Sequence, residues 1–70
     1  MKKGRKVWYS IICQNNPNNR YEDQYVYFDG PATRPEVERL FTKAVESLNY
    51  REFMLFKGRE LGRLIKIERK

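Results

Sequence analysis

The sequence predicts an α+β fold of order β-β-α-β-β, a four-stranded antiparallel sheet with one helix packed on one face. Three observations predict it. A capping box, Thr33-Arg34-Pro35-Glu36, opens a single apolar stripe at helical spacing. Two strand-forming runs precede that stripe and two follow it. Clusters of turn formers separate the runs within each pair.

The first run is KVWYSIIC, Lys6 to Cys13, rich in β-branched and aromatic residues. QNNPNNR, centred on Pro17, reads as the loop of a long hairpin. The second strand is expected over QYVYF, Gln24 to Phe28, with Asp29, Gly30 and Pro31 ending it. At the helix cap the Thr33 hydroxyl can accept from the Glu36 amide, and the Glu36 carboxylate can reach back to the Thr33 amide. Pro35 falls in the first turn, where a missing N–H costs little.

Val37, Leu40, Phe41, Ala44, Val45 and Leu48 then form one stripe of period 3.6. The opposite face holds Glu36, Glu38, Arg39, Thr42, Lys43, Glu46 and Ser47. Its Glu36–Arg39 and Lys43–Glu46 pairs are worth roughly a few tenths of a kcal/mol each, and Arg39–Lys43 is a like-charge pair. The helix is therefore held by its stripe, and Asn49 is a suitable stop. EFMLF, Glu52 to Phe56, reads as the third strand, KGRE, Lys57 to Glu60, as a tight turn, and LGRLIKIER, Leu61 to Arg69, as the fourth strand.

Strand alternation assigns faces. Val7, Tyr9, Ile11 and Cys13 are the more uniformly apolar side of the first strand and are expected under the helix, as are Val26 and Phe28. Trp8, Tyr25 and Tyr27 are then expected on the uncovered face, with Lys66 nearby. Aromatics beside bases on an open sheet stack nucleobases in single-strand binders. They also serve protein interfaces, or simply pair across strands.

Seventy residues make one domain, 1–70, with a basic N-terminal arm over 1–6. The net charge of +6 is unevenly spread. Lys2, Lys3, Arg5 and Lys6 meet no acid, and the last fourteen residues carry six bases against Glu60 and Glu68. The segment between has five bases and seven acids. Basic surplus at both ends suits a polyanion.

Histidine is absent, which removes the commonest general base and metal ligand. Cys13, the only cysteine, has no partner for a disulfide or a Cys–His dyad and suits a reducing, cytoplasmic setting. No metal-ligand spacing occurs, and GRELGR, Gly58 to Arg63, matches neither standard phosphate loop. No apolar run approaches the roughly 20 residues that span a bilayer.

The expectation is a non-enzymatic, cofactor-free, metal-free nucleic-acid-binding module. Lys2, Lys3, Arg5, Lys6, Arg59, Arg63, Lys66 and Arg69 would neutralise phosphates, while Trp8, Tyr25 and Tyr27 would stack. The alternative is a small adaptor or inhibitor that binds a protein through the sheet face or an edge strand, of a size that fits phage or mobile-element encoding. A homodimer burying the aromatic face is a third expectation.

Overall fold

β1 (Val7–Gln14) is the interior strand on which the rest assembles. The computed structural model describes residues 5–15 and 24–70; Lys2, Lys3 and the loop around Pro17 lie outside them. β1 pairs antiparallel with β2 (Gln24–Ala32) on one side and with β3 (Glu52–Lys57) on the other, and β4 (Arg63–Arg69) completes the order β2-β1-β3-β4. The fold is α+β with the element order β-β-α-β-β.

The helix α1 (Arg34–Ser47) starts as the sequence dictates. Glu36 N–H donates to the Thr33 hydroxyl at 3.3 Å, and Thr33 N–H donates to Glu36 Oε1 at 2.8 Å. A cap of this kind contributes about 1 kcal/mol. Val37, Phe41 and Ala44 are buried on the sheet, with Leu40, Val45 and Leu48 half-buried beside them. They meet Tyr9, Ile11 and Cys13 of β1 and Phe53 and Leu55 of β3. Val7, Tyr9, Ile11 and Cys13 thus do face the helix. Along the helix surface, Arg34 Nε donates to Glu38 at 2.7 Å, an i, i+4 pair that joins Arg34 to the wet face.

Both edge strands depart from simple alternation, each for the same reason. Ile11 pairs with Phe28, but Ile12 pairs with Val26, so Tyr27 is the extra residue of a β-bulge. In β4, Leu55 pairs with Lys66 and Phe56 with Leu64, which leaves Ile65 as the extra residue. Paired residues share a face, so each bulge swaps the faces of everything beyond it. Val26 therefore lies with Ile12 on the uncovered side and is 52% exposed, contrary to the expectation that it sits under the helix.

Two boundaries also move. β2 runs on through Asp29, Gly30 and Pro31 to Ala32, because those residues continue to pair with β1; Pro31 is tolerated on an edge strand. β4 begins only at Arg63, because Gly58 to Gly62 form the turn. Gly58, Glu60 and Leu61 all take positive φ there (105°, 54° and 53°), and a Cβ at Gly62 would stand 2.6 Å from the Lys57 carbonyl.

The bulge at Tyr27 makes a direct prediction. Val26→Lys should change the urea unfolding free energy by less than about 0.5 kcal/mol, since the side chain points to solvent. A loss of several kcal/mol would mean that Val26 is buried under the helix and that β2 pairs without a bulge.

Candidate nucleic-acid interface

The antiparallel order decides where the charges gather. β1 and β4 start at the same end of the sheet at which β2 and β3 finish. Arg5 and Lys6, which lead into β1, therefore lie at the same end of the sheet as Lys57, Arg59 and Arg63 of the β3–β4 turn. Tyr9 pairs with Lys57, Lys57 pairs with Arg63, and Gly58 N–H donates to the Trp8 carbonyl at 2.7 Å. Ala32, the partner of Val7, delivers Arg34 at the helix start to the same end. All six of these bases are exposed. Arg34 and Lys57 were not among the expected site residues; Arg34 reaches this end through the β1–β2 pairing and Lys57 through the β1–β3 pairing.

A groove of about 340 Å³ opens from this end onto the uncovered face. Ile12, Val26 and Leu61 are its apolar lining, while Ser10, Asp29, Arg59 and Glu60 are its polar groups, with Trp8 among them. Trp8 Nε1–H donates to Asp29 Oδ1 at 2.7 Å, and the Ser10 hydroxyl donates to the same oxygen at 2.9 Å. One carboxylate oxygen thereby fixes the indole in its plane. The Arg59 guanidinium lies over the ring, 4.3 Å from its centroid, as a cation–π contact. Trp8 is thus hydrogen-bonded through its indole N–H and covered on one side by a cation.

The other expected site residues are dispersed. Tyr25, opposite Cys13, lies on the helix side and stacks on Tyr50 with centroids 5.9 Å apart. Tyr27 occupies the bulge and packs half-buried against the core. The three aromatics do not form one platform, because the bulge removes Tyr25 and Tyr27 from the face of Trp8. Lys66 is also on the helix side, not beside Trp8: it donates to Glu38 at 2.9 Å and lies 5.4 Å from the Phe41 ring centroid.

Glu38 thus receives Lys66 and Arg34 together, and these hydrogen bonds, Lys66 first, hold its carboxyl below the usual carboxylate range. Arg69 sits at the far end of the sheet, where it donates to the buried Glu52 carboxylate at 2.9 Å. Gln14 Nε2 donates to the other oxygen of Glu52. Of the expected phosphate-neutralising residues, the basic end therefore contains Arg5, Lys6, Arg59 and Arg63, while Lys66 and Arg69 are already engaged with carboxylates.

Cys13 lies in the core under the helix, with no exposed surface, and burial pushes its thiol up to about 11. Among the described residues, no three His, Cys, Asp or Glu side chains group as metal ligands would. No helix among them is long and apolar enough to cross a membrane. No family model matches the chain, and no curated protein or solved structure is detectably similar to it.

The burial of Cys13 predicts a thiol that iodoacetamide does not alkylate at pH 8 in the folded protein and does alkylate once urea unfolds it. Rapid labelling of the native protein would place the thiol in contact with solvent.

Proposed function

We propose that the protein is a non-enzymatic nucleic-acid-binding module whose contact surface is the basic end of the sheet. One observation carries the reading: antiparallel pairing sets Arg5 and Lys6 at the same end of the sheet as Lys57, Arg59 and Arg63, with Arg34 at the adjoining helix start. Separate basic tails would serve solubility equally well. Gathered on one rigid end, they make a footprint for the phosphates of a polyanion. Trp8 supports the reading, because its anchored ring borders the same end and can receive a base once Arg59 moves from the indole to a phosphate. The lone buried thiol suits a cytoplasmic setting.

A protein partner is the second reading. Its observation is the exposure of Val26, Leu61 and Leu64, three apolar side chains on or beside the uncovered face. Edge-strand pairing has less support, because a bulge interrupts each edge and β4 bears Arg63, Lys66, Glu68 and Arg69.

Trp8 is the chain's only tryptophan, so its fluorescence reports on the proposed surface. Titration with a single-stranded oligonucleotide should quench or shift it at low salt. With four phosphates neutralised, log K should fall against log salt with a slope of about −3. Reversing charge at Arg59 and Arg63 together should weaken binding by at least about tenfold at low salt. A salt-insensitive interaction, or no spectral change at low salt, would shift the weight to the protein partner.

A further inference from the structure

A second groove, of about 520 Å³, lies between α1 and the edge strand β2. Phe28, Pro31 and Leu40 give it an apolar floor. Lys6, Arg39 and Lys43 supply three cations along its rim. Arg39 and Lys43 are four residues apart on α1, about 6 Å along the helix axis. Glu36 is the one acid in the lining, and its carboxylate is bound to the Thr33 amide in the capping box. The Thr33 hydrogen bonds, with Lys6 and Arg39 nearby, hold that carboxyl below its ordinary range, so it stays ionised and the groove carries a surplus of positive charge at neutral pH. Among the described residues, Arg39 and Lys43 make no ion pair within bonding distance. Lys6 belongs both to this rim and to the basic end, which makes the two surfaces continuous.

We infer that this groove is a nucleotide subsite and that it makes the protein prefer single-stranded over duplex nucleic acid. The inference rests on the nucleic-acid reading above and extends it. A cationic rim over an apolar floor complements a group with an anion at one side and a flat apolar plane at the other, and an unpaired nucleotide has that form. A duplex keeps its bases stacked inside and offers the floor nothing. An acidic peptide strand fits less well. It would need the free edge of β2, which the bulge at Tyr27 interrupts and where Pro31 offers no N–H.

The test compares anisotropy titrations of a labelled single-stranded oligonucleotide and its duplex at one salt concentration. The proteins are wild type, Arg39→Glu/Lys43→Glu and Arg59→Glu/Arg63→Glu, each checked for its fold by circular dichroism. Arg39 and Lys43 are exposed, so their replacement leaves the core untouched. Wild type should bind the single strand at least about tenfold more tightly than the duplex. The groove variant should lose that preference while keeping most of its duplex affinity. The basic-end variant should lose affinity for both forms and keep a preference.

Equal wild-type affinity for the two forms would overturn the subsite while leaving the basic end standing. So would a groove variant that weakens both forms alike, since Arg39 and Lys43 would then act only as part of the general field. Failure of wild type to bind either form would overturn both the subsite and the function it rests on.

Discussion

The structure depends on β1 being paired on both sides by antiparallel neighbours. Tyr9 to Gln14 are all buried, in a strand hydrogen-bonded along both edges. One face carries Tyr9, Ile11 and Cys13 to the helix. The other carries Ser10, Ile12 and Gln14 into rows that run across the sheet: Ser10 with Asp29 and Phe56, Ile12 with Val26 and Met54, Gln14 with Gln24 and Glu52. The same pairing sets where every strand begins and ends. The charged ends of the chain's elements meet because β1 is antiparallel to β3, and not through any attraction between like charges. Burial of β1 thus offsets the electrostatic cost of gathering six bases at one end.

The two ends of the sheet carry different numbers of bases. At the far end, with Arg51, Arg69 and Lys70, Arg69 meets the Glu52 carboxylate, and the Lys70 ammonium lies 5.4 Å from the Phe53 ring centroid and donates to the Leu48 carbonyl at 2.9 Å. At the near end only Arg34 has a carboxylate partner among the described residues, and Arg59 rests on an indole. A cation over a ring in an exposed site gains about 0.5–1 kcal/mol, little enough for a phosphate to compete with.

Local chemistry was legible in the sequence wherever it depends on neighbours along the chain. The Thr33–Glu36 box, the stripe that starts at Val37 and the existence and order of the four strands all appear as spacing predicts, though β2 runs on to Ala32 and β4 starts only at Arg63. The assignment of Trp8 to the uncovered face also holds, because β1 has no bulge of its own. The positions of Tyr25, Tyr27, Val26 and Lys66 were not legible. A bulge belongs to a pair of strands, and nothing in YVYF or RLIK alone marks the residue that will be left unpaired. Strand order was equally hidden, and with it the place of Lys57 at the basic end. Both depend on contacts far apart in sequence.

The central claim is that one end of this sheet, and not charge in general, receives nucleic acid. Backbone amide NMR during titration with a single-stranded oligonucleotide tests it most directly. The account predicts shifts concentrated at Arg5, Lys6, Arg34 and Lys57 to Arg63, with Arg51, Arg69 and Lys70 unmoved. Shifts centred on the far end, or spread evenly over every exposed base, would contradict it.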